Sequence, residues 1–221
     1  MLRFTQVVKR FEPGTPPVLD GLDAEVPLKG LTFVIGKSGS GKSVLCRLAV
    51  GLLKPDEGTV TLDGERVDEL PERSLRPLRA RVPYLVQGPA LIDWVSVVEN
   101  VMLAAKGAKA ARRAAALDAL KRVGLFELAD RFPPQLGPGV KKRAAIARAL
   151  VLEPTYLLLD EPTTGLDREA AGQVNETLLE LKRQGLGAMI VSHDHRAMNS
   201  MADRVLEVSA GKAKWTNRSS S

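Results

Sequence analysis

Apolar positions along this chain fall into two rhythms. Short runs rich in Val, Ile and Leu predict buried strands at Leu31 to Ile35, Val82 to Val86, Tyr156 to Leu159, Ala188 to Val191 and Val205 to Val208. Three further runs, Leu2 to Val8, Leu22 to Val26 and Thr59 to Leu62, alternate apolar with polar residues, as strands covered on one face do. Stretches of helical period separate them, so the expected class is α/β: a largely parallel buried sheet with an antiparallel flank forming a second subsheet. Between Val95 and Leu152 the strand signals stop, and Ala, Leu, Lys and Arg dominate through KGAKAARRAAALDALKRVGL and VKKRAAIARALVLE. That stretch predicts a helical insertion, cut into separate helices by Gly124 and by the cluster Pro133, Pro134, Gly137, Pro138, Gly139. The polar tail TNRSSS predicts a frayed end.

With 221 residues, 44% hydrophobic and 26% charged, the chain fits one domain with a substantial core. No apolar run approaches the roughly 20 residues a membrane helix needs. The opening MLRFTQVVKRF lacks the apolar block of a secretory signal, and the single cysteine, Cys46, has no internal partner for a disulfide. A cytoplasmic location is expected. The net charge of +6 is small and dispersed, and its local clusters carry few aromatics to stack on bases, so no nucleic-acid partner is expected.

The chemistry begins directly after the run LTFVI, where GKSGSGKS spans Gly36 to Ser43 and leads into the amphipathic VLCRLAVGLL. Strand, glycine loop and helix in that order make a phosphate cradle: Gly36, Gly39 and Gly41 let the backbone turn tightly, and successive N–H groups and the helix N-terminus face an anion. The cradle comprises Gly36, Lys37, Ser38, Gly39, Ser40, Gly41, Lys42, Ser43 and Val44. Lys42 brings a point charge to the β- and γ-phosphates, and the Ser43 hydroxyl is a Mg²⁺ ligand. A second element, YLLLDEPTTGLD, ends a strand in Asp160 and Glu161. Carboxylates at the carboxyl end of a buried strand stand where open α/β sheets bind ligands, so Asp160 can face the metal while Glu161 reaches a water.

The order Gly36 to Ser43, Gln87, Leu136 to Val140, Asp160-Glu161, Thr164-Gly165-Leu166-Asp167 and His193 resembles that of the ATP-binding cassette (ABC) ATPases over essentially the whole chain. The resemblance implies a phosphate-loop NTPase core of RecA type, an antiparallel β-subdomain and an inserted α-helical subdomain, within one ABC ATPase domain over 1–221. The core would take about 1–87 and 153–221, and the helical subdomain 88–152. It implies a Mg²⁺-dependent ATPase that binds ATP. Catalytic roles fall to Glu161, His193, Gln87 and Lys42, and metal contacts to Ser43, Gln87 and Asp160. Phe11 would stack on adenine, although a phenylalanine there is nearly as well explained as a small-core residue. Leu136, Gly137, Pro138, Gly139, Val140 and Asp167 would contact nucleotide held by a second cassette subunit, in a homo- or heterodimer. His195 is expected on the surface and Cys46 in the core.

One loop departs from the family pattern. Where the family reads Leu-Ser-Gly-Gly-Gln, this chain reads Leu136-Gly137-Pro138-Gly139-Val140, without the serine hydroxyl and with a proline that removes one N–H. The loop offered to a partner is thus weakened, which fits either a different partner subunit with an intact loop or a slow homodimer. The run QGPALIDWVSVVENV is similar to the Q-x-x-A-L-F-D pattern of Mla/Mce phospholipid-trafficking ATPases, as is VKKRAAIARAL to the corresponding run in those proteins. On that resemblance the chain powers a separate integral membrane permease, docked in a groove near Gln87, Ile92, Asp93 and Trp94 at the cytoplasmic face of the inner or cell membrane. Trp94 packing its own loop is the plainer reading. Lipoprotein-release and cell-division cassettes, and soluble cassettes of the iron–sulfur assembly type, remain as alternatives.

Overall fold

The computed structural model describes residues 1–216; of the expected frayed tail, 216–221, Thr216 is paired in a strand and 217–221 lie outside the described residues. In chain order the strands are β1 (Leu2–Lys9), β2 (Leu19–Val26), β3 (Leu31–Ile35), β4 (Glu57–Leu62), β5 (Glu65–Arg66), β6 (Tyr84–Leu85), β7 (Tyr156–Asp160), β8 (Gly187–Val191), β9 (Arg204–Ser209) and β10 (Lys212–Thr216). The helices are α1 (Lys42–Ala49), α2 (Glu72–Arg81), α3 (Val97–Met102), α4 (Lys109–Arg122), α5 (Pro138–Leu150), α6 (Arg168–Arg183) and α7 (His195–Met201).

The strands form two sheets. One is antiparallel in the order β2-β1-β4-β5, and the other runs β10-β9-β3-β8-β7-β6, parallel except for β10. Residues of β3, β7 and β8 point alternately to two separate apolar cores. Phe33, Leu157, Leu159 and Ile190 pack toward α3 to α6, whereas Val34, Leu158, Met189 and Val191 pack toward α1 and the antiparallel sheet. A parallel sheet covered on both faces explains why these strands read as unbroken apolar runs. Burying each such side chain contributes about 1.5–3 kcal/mol, so the sheet is the rigid base on which the loops stand.

The expected strand at Val82 to Val86 is only Tyr84–Leu85. Val82 closes α2 instead, its N–H bonded to Leu78 O at 2.9 Å, and Pro83 has no N–H for a ladder. β10 went unread because KAKWT buries little: it is an edge strand, held by antiparallel pairing to β9. At the start of β3, Asp203 accepts from Leu31 N at 2.7 Å and from Lys182 Nζ at 2.7 Å, joining the strand to α6. Among the described residues no helix is long and apolar enough to cross a membrane.

Candidate functional site

Four segments meet at the carboxyl end of the parallel strands. The loop after β3 leads into α1, Gln87 follows β6, Asp160 ends β7 with Glu161 next, and His193 lies just beyond β8. They border an open pocket of about 490 Å³, whose lining includes Ser38, Gly39, Lys42, Ser43, Gln87, Glu161 and His193. Phe11 also lines it and is 55% exposed, so it is not a small-core residue.

The loop is shaped by positions where a side chain has no room. At Gly36 (φ 147) an added Cβ would stand 2.2 Å from Val208 O, and at Gly41 (φ 100) it would stand 2.6 Å from Leu19 Cδ2. Lys42 is only 6% exposed, and its ammonium donates to the loop's own carbonyls, Gly36 O at 3.0 Å and Lys37 O at 2.9 Å. Burial pushes that ammonium below the ordinary lysine value, while the nearby Glu161 and Asp160 raise it. Ser40 Oγ is buried with no hydrogen-bond partner. An orphaned hydroxyl and a lysine turned onto carbonyls, inside a loop with no room for a side chain at Gly36 or Gly41, suit a phosphate chain that would take up these donors.

The carboxylates take different surroundings. Asp160, 6% exposed, accepts from Ser43 Oγ at 2.9 Å and from Tyr84 Oη at 2.7 Å. Burial and the Asp160 hydrogen bond hold the Tyr84 phenol above its usual value. Glu161 leaves the strand with a left-handed backbone (φ 51), its N–H bonded to Val191 O at 2.8 Å. Its carboxylate accepts from Thr164 Oγ1 at 2.8 Å and lies 3.1 Å from His193 Nε2. Ser43 and Asp160 together make an oxygen pair suited to Mg²⁺; Gln87 is exposed on the same pocket.

The loop Leu136 to Val140 does not line this pocket. Gly137 and Pro138 are exposed at the start of α5, with Gly137 as N-cap and Pro138 in the first turn. Gly139 is buried, and a Cβ there would meet the Ala170 methyl at 2.8 Å, so packing against α6 alone explains this glycine. Asp167 caps α6 by accepting from Ala170 N at 2.8 Å. His195 is exposed and Cys46 fully buried, both as expected.

A family model described as ABC transporter matches residues 19–164, two thirds of the chain. The chain belongs to the ABC transporter family. Cassettes of this family bind and hydrolyse ATP with Mg²⁺, which accords with the phosphate loop and the oxygen pair. The chain is 38% identical over 216 residues to the methionine import ATP-binding protein MetN of Mesorhizobium japonicum, covering 96% of this chain and 59% of that protein. To the aliphatic sulfonates import ATP-binding protein SsuB 1 of the same organism it is 41% identical over 212 residues, 95% of this chain and 76% of that one. The cassette MJ0796, solved as a dimer in a post-hydrolysis state with ADP and Pi, superposes with TM-score 0.87 at 27% identity, covering 99% of both chains. The chain thus spans about three fifths of the methionine-import relative. Similarity over nearly the whole of this chain goes to import cassettes, so the phospholipid-trafficking type suggested by Gln87 to Asp93 is not supported by these relatives.

Within this cassette an apolar groove of about 340 Å³ lies between Pro83 to Val86, Gly88 and Pro89, Leu103 and α5, and Gln87, expected beside it, lines the phosphate-loop pocket instead. Ile92, Asp93 and Trp94 do not wall it. Ile92 is tied inward by Asn100, whose side chain accepts from Ile92 N at 2.7 Å and donates to Ile92 O at 2.9 Å. Trp94 is 81% exposed and therefore does not pack its own loop. Sequence reasoning missed Tyr84, Asn100 and Lys142. The Lys142 ammonium on α5 donates to Gln87 O and, at 3.3 Å, to Glu161 O. For Lys142 a signal was present, a basic residue inside the run VKKRAAIARAL, but nothing in the sequence gave its direction.

Proposed function

We propose that this chain is the ATP-hydrolysing subunit of an ABC transporter and drives a separate membrane permease, with Glu161 as the base. The observation that carries the reading is the pairing of Glu161 with His193 at 3.1 Å, in the pocket formed by the phosphate loop. Lys42 and the loop N–H groups would hold the phosphate chain, and Ser43, Asp160 and Gln87 would hold the metal. Mg²⁺, when bound, would neutralise phosphate charge and align the terminal group. Glu161 accepts the proton of the attacking water, His193 donates toward the terminal phosphate, and Phe11 stacks on the base. The exposed Gly137 and Pro138 stand outside the chain's own pocket, which supports their use by a second cassette. The domain division expected from sequence, with 88–152 as the helical part, is retained in this proposal.

The permease would engage the groove beside α5 and the exposed Trp94. That docking places the chain peripherally on the cytoplasmic face of the membrane. Phospholipid cargo rests on the short run Gln87 to Asp93, while the long alignments favour import cassettes; the proposal stops at a permease-coupled transporter. Magnesium-dependent phosphate release by the purified protein, together with its recovery in mild detergent bound to an integral membrane protein, tests both halves. Failure to release phosphate both alone and in the recovered membrane complex would remove the enzymatic half, and a soluble, unpartnered chain would remove the transport half.

A further inference from the structure

Lys142 reaches the hydrolytic site from an element that carries none of its chemistry. It sits in the first half of α5, half-buried, and its ammonium bonds to two main-chain carbonyls from segments far apart in sequence, Gln87 O and Glu161 O at 3.3 Å. Among the described residues no carboxylate lies within ion-pair distance of it. Burial pushes the ammonium below the ordinary lysine value, and the charges of Glu161 and Asp160 act against that shift. On the same helix Arg148 donates to Ala90 O at 2.7 Å and Pro89 O at 3.2 Å, so α5 grips the chain after β6 through carbonyls 87, 89 and 90.

The carbonyl that Lys142 takes at Glu161 belongs to the residue with left-handed backbone (φ 51). A non-glycine residue in that region costs of the order of 1–3 kcal/mol and persists only where its surroundings enforce it. Here the enforcement is twofold: Val191 O fixes the Glu161 N–H at 2.8 Å, and the Lys142 ammonium fixes its carbonyl. With the backbone pinned at both ends, the carboxylate is aimed at Thr164 and His193.

We propose that Lys142 is a positioning residue for hydrolysis, a strut from α5 that holds the Gln87 and Glu161 main chain in one arrangement. The inference rests on Glu161 acting as the base. It predicts an effect on turnover larger than any on nucleotide affinity, because Lys142 bonds only to the Gln87 and Glu161 carbonyls and not to the phosphate loop or to the Ser43 and Asp160 oxygens that would hold the metal. Steady-state ATP hydrolysis should fall about tenfold in kcat for Lys142→Met with KM for ATP within twofold, and Lys142→Arg, which keeps the donors, should stay within threefold of the native rate. In a Glu161→Gln background the Met substitution should cause a much smaller further loss of residual turnover, since only the hold on Gln87 is then left to lose. Affinity for a fluorescent ATP analogue reports folding of each variant. Should Met leave kcat within twofold, should KM rise in step with the loss, or should Arg fail to restore the rate, the strut is refuted. Absence of magnesium-dependent turnover in the native protein would instead refute the ATPase reading on which the strut depends, and so separates the two failures.

Discussion

At the scale of single residues, Glu161 and Lys42 divide binding from turnover. Gln at 161 can still accept from Thr164 and stay beside His193, so Glu161→Gln should preserve the pocket and remove only the proton acceptor. A general base contributes typically about 10²–10⁴-fold, so phosphate release should drop by that order while ATP binding persists. Unchanged turnover would mean that another group is the base. Lys42→Ala removes a charge buried beside two carboxylates and should weaken nucleotide binding itself, measured by fluorescence titration with and without Mg²⁺. The phosphate loop could be read in the sequence because its parts are contiguous and its glycines are required by local turns. Asp160 and Glu161 could be read because an apolar run delivers them to a strand end. Tyr84 and the direction of Lys142 could not be read, because contacts of Tyr84 with Asp160 and Lys142 with Gln87 join residues 76 and 55 positions apart. Only the folded sheet and the crossing of α5 bring them together.

Among the elements, α5 carries the loop that departs from its family, and the structure shows that part of the departure is reversible. Gly137 has an extended backbone (φ −66, ψ 160) and nothing within 4 Å of an added Cβ, so serine fits there without strain and can cap the helix. Combining Gly137→Ser with Pro138→Gly restores a hydroxyl and an N–H on the exposed face. A hydrogen bond to a charged oxygen is worth about 1.5–3 kcal/mol, so a homodimer should hydrolyse ATP about tenfold faster or more. No gain in a chain shown to dimerise would contradict the weakened-loop argument. Gly139→Ala, by contrast, should destabilise by about 1–3 kcal/mol through overpacking on Ala170, a change visible in thermal melting. The start of β3 should respond to acid. Burial alone would raise the Asp203 carboxyl, but its bonds to Lys182 and Leu31 N hold it below the usual value. Stability from this lowered carboxyl is present above the unfolded value of about 4 and is lost as pH falls through the folded one. Asp203→Asn should flatten that part of the acid melting curve. Strands with apolar runs matched expectation, whereas β10 and the ends of β6 did not, because edge strands are specified by pairing more than by burial.

For the whole molecule, the parallel sheet gathers the chemistry on one edge, while the insertion presents a different surface, and α5 spans the two. Leu103 and Val86, 55% and 47% exposed, line the apolar groove, and Trp94, on the loop before α3, is 81% exposed. Contiguous exposed apolar surface marks interaction sites, and tryptophans buried in interfaces dominate their energies at about 2 kcal/mol or more. The loop bearing Trp94 is also held in advance: Asn100, fully buried, donates to Ile92 O, Val95 O and Ser96 O, and the Ser96–Glu99 capping box starts α3 directly after it. A partner docking there, as proposed, would meet a surface that needs little ordering, which favours affinity. Trp94→Ser should leave melting temperature and basal ATP turnover of the isolated chain unchanged, because the side chain touches solvent. The same change should weaken recovery of the membrane partner in mild detergent by about thirtyfold, the equivalent of 2 kcal/mol. Asn100→Ala should reach the same end differently, lowering thermal stability as well as partner recovery, because it frees the backbone of the loop. If the complex survives Trp94→Ser intact, the proposed docking at Trp94 is refuted, and the groove lined by Pro83 to Val86, Gly88, Pro89 and α5 is left as the proposed contact.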